Sequence, residues 1–254
     1  MIKKRLKVLA GRDFNSNKYS HGIVCVVSGS AQYPGAGVLT VGGARRGGSG
    51  YIQYADLGEL PTALVLVAYP DVLIRKIKDI EADAWVVGSG NPNLPLRFKF
   101  PQSQYLILDA GAISFVNKSR STFTIITPHE GEFAKLGYTV VKSGDRDILA
   151  AQAARELNVC VVLKGPSTVV TTPDGLILTV DSGGPELATA GTGDILAGFI
   201  ASMLASWKPQ TTKEVMNVLG KAVSAHGLAG KRAAKRVRPL TAPDLLNEIP
   251  RVIR

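Results

Sequence analysis

Apolar residues fall in short unbroken runs along most of this chain, not in the strict alternation of a half-solvated sheet. The runs at residues 23–27, 64–68, 84–88, 105–109, 123–127 and 159–164 predict buried strands, parallel and covered on both faces. Helical signals lie between them. Residues 35–46 are rich in small side chains and predict a helix packed close to the sheet. Residues 145–157 place Ile148, Ala151, Ala154 and Leu157 at helical spacing. Residues 168–172 and 176–180, joined by Pro173-Asp174-Gly175, predict a hairpin. From Ile195 onward the chain reads as helices. No repeat, low-complexity tract or linker interrupts this order, so the expectation is one α/β domain over residues 1–254. Its architecture would be a three-layer αβα sandwich around a mostly parallel, doubly wound sheet.

One segment carries the sharpest chemistry. Ala188-Thr189-Ala190-Gly191-Thr192-Gly193-Asp194 leads straight into the apolar stretch that begins at Ile195. A helix starting here offers unpaired N–H groups and the positive end of its dipole, which is an anion site. Asp194 would repel a phosphate at that mouth. It makes sense as a general base that takes a proton from a hydroxyl attacking a phosphoryl group held by the amides. The plainer reading is an acidic residue favoured by the dipole. Other polar segments close strands: Gly88-Ser89-Gly90, Asp109, Thr127-Pro128-His129-Glu130-Gly131-Glu132 and Lys164-Gly165-Pro166-Ser167-Thr168. In an open parallel sheet ligands sit beyond the carboxyl ends of strands, so these segments and the Gly191 turn predict one rim. Taken singly, His129 could cap the helix beginning at Glu130, Lys164 could be a solvated strand end, and Gly88 and Gly90 could be turn residues.

Composition narrows the partners. The chain has 254 residues and a net charge of +10. Its densest basic run, Lys231-Arg232-Ala233-Ala234-Lys235-Arg236-Val237-Arg238, has no interleaved aromatics and reads as a solvated helix face. With 6% aromatic residues there is little for base stacking, so a small polyanionic substrate explains the charge better than nucleic acid. Cys25 and Cys160 both sit in apolar runs, as buried thiols of a reducing compartment do, and neither a disulfide nor a metal pair is expected. No apolar run approaches the roughly 20 residues of a membrane span. Met1-Ile2-Lys3-Lys4-Arg5 is basic, yet no signal-type apolar region follows, so a cytoplasmic protein is expected.

These segments together resemble the ribokinase-like superfamily and, within it, the ADP-dependent (S)-NAD(P)H-hydrate dehydratases. The family's Thr-Pro-His-Pro-Gly-Glu segment is Thr127-Pro128-His129-Glu130-Gly131-Glu132 here. Its Val-Leu-Lys-Gly-x-x-Thr is Val162-Leu163-Lys164-Gly165-Pro166-Ser167-Thr168, and its Gly-[Ser/Thr]-Gly-Asp run lies within residues 187–198, with Ile195 in place of valine. Gly29-Ser30-Ala31-Gln32-Tyr33-Pro34-Gly35-Ala36, His226-Gly227 and Asp244-Leu245-Leu246 followed by Ile249-Pro250 match further segments in order. Three departures stand out. Gly111 replaces the second acid of Asp-Ala-Asp-Ala-Leu, Ser89 the proline of Gly-Pro-Gly, and Glu130 the proline after the histidine.

The resemblance implies a lyase that restores NADH or NADPH from its C6-hydrated form, coupled to conversion of ADP to AMP and phosphate. It implies that Ala36, Gly90, His129 and Asp194 contact the hydrated nucleotide. Lys164, Gly165, Pro166, Ser167 and Thr168, with Gly193, would hold the adenine nucleotide. Gly191, Thr192 and Gly193 would form the anion hole, and Asp194 would be the base. Mg2+ is expected because phosphates are moved, with no ligand to name. ADP is expected over ATP, and both NADHX and NADPHX stay open as substrates. A homotetramer and a separate epimerase partner are implied in the same way. A hydroxymethyl-pyrimidine or thiazole kinase of the same superfamily, and a non-catalytic nucleotide-binding protein, remain as alternatives.

Overall fold

The computed structural model describes residues 5–92, 94, 98–119, 121–142 and 144–254; the basic start at residues 1–4 lies outside them. Seven parallel strands form the body of a sheet: β1 (Ile23–Val27), β2 (Tyr51–Ala55), β3 (Leu73–Arg75), β4 (Ala84–Val87), β5 (Tyr105–Leu108), β6 (Phe123–Ile126) and β7 (Cys160–Leu163). The predicted hairpin, β8 (Thr168–Thr171) and β9 (Ile177–Val180), adds two antiparallel strands at one edge. The order is β3-β2-β1-β4-β5-β6-β7-β8-β9. It reverses direction between β1 and β4, so a crevice opens beyond their carboxyl ends.

The unbroken apolar runs have a direct cause. Along β1, Val24 and Val26 face one core and Cys25 and Val27 the other, because successive side chains alternate across a strand. The first core is closed by α1 (Pro34–Ala44), α2 (Glu59–Ala68), α5 (Thr192–Trp207), α6 (Thr212–Ala233) and α7 (Ala242–Val252). The second is closed by α3 (Glu130–Lys135), α4 (Asp145–Leu157) and a 3-10 segment at Ala110–Lys118. Both cysteines are buried and free, and burial pushes both thiols up.

Helices α1 and α5 lie almost backbone to backbone. A Cβ at Gly43 would collide with the Ile195 carbonyl, and one at Gly198 with the Thr40 carbonyl. The small-residue composition of residues 35–46 is therefore a packing requirement. It sets α5 firmly against α1, and Ile195, Phe199, Ile200, Met203 and Leu204 are fully buried. At about 1.5–3 kcal/mol for each large apolar side chain, that burial anchors the helix whose first turn carries Asp194.

Three expectations need correction. Residues 64–68 are the end of helix α2, not a strand. Only Pro61 and Val65 of that helix are buried, while Leu60, Leu64, Leu66 and Val67 face outward, so its apolar pattern has no clear helical period. Strands β2 and β3 were not signalled by continuous apolar runs. Strand β2 buries a polar residue, Gln53, whose amide donates to the Glu81 carbonyl at 3.1 Å. Finally, the basic run is not a plain solvated helix face. Helix α6 ends at Ala233, and Arg232 and Arg236 turn onto the buried Glu248 carboxylate of α7, at 2.9 and 3.4 Å. Arg251 joins them at 2.9 Å.

Candidate active site

Val27, Val87, Leu108 and Ile126 stand level across β1, β4, β5 and β6. The residues that follow, Ser28, Gly88, Asp109 and Thr127, therefore form a row along the carboxyl edge. Asp109 is the buried centre of this row. Ser89 Oγ donates to its Oδ2 at 2.7 Å, Thr127 Oγ1 to its Oδ1 at 2.7 Å, and Lys164 Nζ to Oδ1 at 3.0 Å. Burial would push the carboxyl up, but the lysine and the two hydroxyls outweigh it and hold Asp109 below the usual range. Burial likewise disfavours charge on Lys164, and Asp109 and Glu132 more than compensate, raising its pKa. The pair is ionised. Lys164 is thus no solvated strand end: its amide also donates to the Pro128 carbonyl at 2.8 Å, and Nζ lies 3.9 Å from Glu132.

The first turn of α5 meets this pair from the other side. Gly191 caps the helix at φ +89°, a region L side chains rarely adopt, and a Cβ there would also strike Leu39. The Thr192 hydroxyl lies 2.8 and 2.9 Å from the Leu187 and Thr189 carbonyls, so it braces the loop behind the helix. The Thr192 amide reaches the Thr189 carbonyl at 3.4 Å, and the Ile195 amide pairs with the Gly191 carbonyl. The amides of Gly193 and Asp194 are left as helix-start donors with no intrahelical acceptor. A Cβ added to Gly193 would come within 3.3 Å of Lys164 Nζ, so the ammonium stands over this turn. The Asp194 carboxyl is pushed up to about 7, first by burial and then by the charge of Asp109, against the opposing pull of Lys164. A carboxyl tuned to that range suits a general base near neutrality.

His226, from α6, supports the same turn. It is buried, and its Nε2 lies 2.9 Å from the Thr192 carbonyl, which can only accept, so Nε2 donates there. Burial lowers its pKa to about 4. Neither His226 nor the carboxylates Asp109 and Glu132 was among the predicted binding residues. For Asp109 and Glu132 the signal was their position in polar segments at strand ends; for His226 it was the His226-Gly227 pair of the family resemblance, which assigned the ring no role.

The remaining predicted residues gather at the same edge. Ala36, in the first turn of α1, touches Gly90 closely enough that a Cβ on Gly90 would collide with its methyl. His129 performs the capping role: Nδ1 accepts from the Gly131 and Glu132 amides at 3.0 and 3.3 Å, and Glu132 accepts from the His129 amide at 2.9 Å. Its ring is still more than half exposed on the outer side. Gly165 and Pro166 are exposed, Ser167 is half-buried, and Thr168 opens β8. A cavity of about 470 Å3, lined by Tyr33, Gly90, Asn91, Gly111, Glu132 and Lys135, opens beside them. At Gly111 a Cβ would collide with the Asn91 carbonyl, so the acid of the family pattern does not fit beneath this turn. A larger cavity of about 690 Å3, beside Lys7, Arg12 and Arg46, lies by Gly48 and Ser49, before the amino end of β2, and holds none of the predicted residues. Among the described residues no group of three or more His, Cys, Asp or Glu side chains converges as a metal site.

This sandwich, with a carboxylate and a helix start at one rim, has the fold of the ribokinase-like class. A ribokinase-like superfamily protein from Enterococcus faecalis superposes with a TM-score of 0.78 at 24% identity, covering 96% of this chain and 90% of that one. The chain belongs to the NAD(P)H-hydrate dehydratase family, whose model matches residues 24–251. The ADP/ATP-dependent NAD(P)H-hydrate dehydratase of Bacillus subtilis, co-crystallised with ATP and Mg2+, superposes with a TM-score of 0.81 at 28% identity, covering 96% of this chain and 93% of that one. The ADP-dependent (S)-NAD(P)H-hydrate dehydratase of Xanthomonas campestris is 30% identical over 92% of this chain and 91% of its own. The bifunctional NAD(P)H-hydrate repair enzyme of Gloeobacter violaceus is 33% identical over 89% of this chain. The chain spans about half the length of that relative, 48%. No described helix is long and apolar enough to cross a membrane.

Proposed function

We propose that this chain dehydrates the S epimer of NADHX or NADPHX to NADH or NADPH, coupled to conversion of ADP to AMP and phosphate. The observation that carries the reading is Asp194, poised near neutrality beside the helix-start amides and the Lys164 ammonium. Asp194 takes the proton of the C6 hydroxyl as its oxygen attacks the β-phosphorus of ADP and the bond to the α–β bridging oxygen breaks, releasing AMP. The free amides of Gly193 and Asp194, with Lys164, take up charge on the transferred phosphoryl; of the expected Gly191–Gly193 hole, the Thr192 amide is instead turned to the Thr189 carbonyl. The phosphate ester then leaves C6, driven by the ring-nitrogen lone pair, and loss of the C5 proton restores the double bond. Hydroxide, a poor leaving group, is replaced by phosphate.

Ala36, Gly90 and the outer side of His129 would hold the hydrated ring and its ribose, and residues 164–168 the adenine nucleotide. Mg2+ fits as an ion that arrives with the nucleotide, since no protein cage is present among the described residues; Glu132, flanking Lys164, is the carboxylate available to its water shell. Bound there it would neutralise phosphate charge. A single α/β domain, a homotetramer, an epimerase as functional partner and a cytoplasmic location complete the reading, the last supported by two free buried thiols.

The test is direct. Purified protein, chemically hydrated NADH, Mg2+ and ADP are mixed, and reduced-nicotinamide absorbance is followed, with ADP omitted or Asp194→Asn as controls. Nucleotide-dependent recovery that vanishes in the variant is expected. Folded protein that binds adenine nucleotide yet gives no recovery with ADP or ATP would overturn the reading in favour of a kinase.

A further inference from the structure

The turn between β7 and β8 folds around one buried guanidinium. Arg146, the second residue of α4, is 7% exposed. Its Nη2 lies 3.2 Å from each of the Leu163, Lys164 and Ser167 carbonyls, and its Nη1 donates to Glu130, at the start of α3. Three carbonyls from five consecutive residues thus converge on a single nitrogen. A Cβ at Gly165 would collide with that nitrogen, so the glycine and the arginine fit only as a set. Nη2 carries two N–H groups, so at least one of them is shared between carbonyls, while Nη1 serves Glu130; a lysine's single ammonium could not span both the turn and Glu130.

The consequence for the rim follows from peptide geometry. In a planar trans peptide the carbonyl and the next N–H point in opposite directions. With the Lys164 carbonyl turned in toward Arg146, the Gly165 N–H is turned away from it, to the open side of the turn. The same constraint fixes the backbone from which Lys164 Nζ reaches Asp109. Arg146 lies behind the turn and Glu130 ties it to the segment that carries His129 and Glu132.

We propose that Arg146 is a positioning residue for the adenine nucleotide: it holds residues 163–167 in the one conformation that presents Lys164 and the Gly165 amide to phosphate, and Glu130 fixes its angle. The inference deepens the reading of residues 164–168 as the nucleotide loop and rests on it.

The test compares wild type with Arg146→Gln, Arg146→Lys and Glu130→Gln. ADP is titrated by calorimetry without hydrated NADH, thermal melts are recorded, and kinetics are run with each substrate varied. Losing the charged fork raises Kd and KM for ADP by about tenfold or more in Arg146→Gln. KM for hydrated NADH changes far less, and Arg146→Lys regains part of the ADP affinity. Glu130→Gln shows a smaller change in the same direction. If Arg146→Gln does not fold, Arg146→Lys decides: weaker ADP binding at a near-native melting temperature supports the role, and unchanged ADP binding overturns it. Wild-type binding of ADP that is matched by Arg146→Gln, or a uniform loss across all constants, overturns the positioning role alone. Wild-type protein that binds no ADP overturns the nucleotide-loop reading and this inference with it.

Discussion

Lys164 reaches from the end of β7 to place Nζ 3.0 Å from the carboxylate of Asp109, two strands away and 55 residues earlier in the chain. Each residue keeps its charge because the other is present, and together they set the field at Asp194. Asp109 raises the Asp194 pKa and Lys164 lowers it, while burial does most of the lifting. The site is thus a fixed ion pair beside a carboxyl that titrates near neutrality.

Replacing Asp194 by Asn removes the base without changing its shape. Turnover of hydrated NADH is expected to fall by about 10²–10⁴-fold with ADP binding largely retained. Single-turnover kinetics and calorimetry on the same variant check both halves.

The pH profile follows from the same group. In the free enzyme kcat/KM should rise about tenfold per unit up to pH near 7 and level off above it, because the base works only when deprotonated. Stability moves the other way. The folded carboxyl holds its proton up to about 7, whereas in the unfolded chain it loses it near 4, so this contribution falls as pH rises between those values. Denaturant titrations of wild type and Asp194→Asn from pH 4 to 8 should show the variant gaining relative stability across that window.

Asp109→Asn leaves Lys164 without its main counter-charge. A loss of about 2–3 kcal/mol is expected, below that of a fully buried pair because the lysine keeps some water. The ammonium then has Asp194 and Glu132 as its remaining carboxylates, and a negative charge near Asp194 is gone. Both effects lower the Asp194 pKa, so the rising limb of the pH profile should move to more acidic pH. A limb that stays in place would separate Asp109 from the tuning of Asp194.

His226 predicts an acid weakness. Its folded pKa, near 4, lies below the ordinary value of about 6.5, so the unfolded chain takes up a proton that the folded chain refuses. Stability should decline as pH falls from about 6.5 to 4. Gln at position 226 can still donate to the Thr192 carbonyl without titrating, and its denaturation midpoint should be flatter over that range.

Gly198→Ala tests the contact between α1 and α5. Its new methyl would meet the Thr40 carbonyl, which is backbone and cannot rotate aside. A destabilisation of about 2–3 kcal/mol is expected from urea denaturation, along with weaker binding at the rim that α5 supports.

Much of this was legible in the chain because the relevant signals are local. Residues 145–157, the hairpin at Pro173-Asp174-Gly175 and the strands at 105–109 and 123–127 each carry their own pattern and turn chemistry. The rim was legible for the same reason, since each polar segment directly follows a strand. Helix α2 was misread because its outward face is as apolar as its buried one, which erases the contrast that distinguishes a helix from a strand. The Asp109–Lys164 pair was hidden for a different cause. Each was visible as the end of a strand, but which strand ends become neighbours depends on sheet order. Likewise nothing around His226 says that its ring ends under the first turn of a helix 34 residues away.

The glycine-mediated contact between α1 and α5 has a further consequence. Ala36 and Asp194 sit on two rods locked together by main-chain atoms, so neither can tilt or slide without the other. Any retuning of this scaffold for a different alcohol or a different phosphate donor would have to leave that bench untouched. It would fall on exposed positions of the neighbouring turns, such as Pro166, because Gly90 and Gly165 in those turns are packed as closely as the helices.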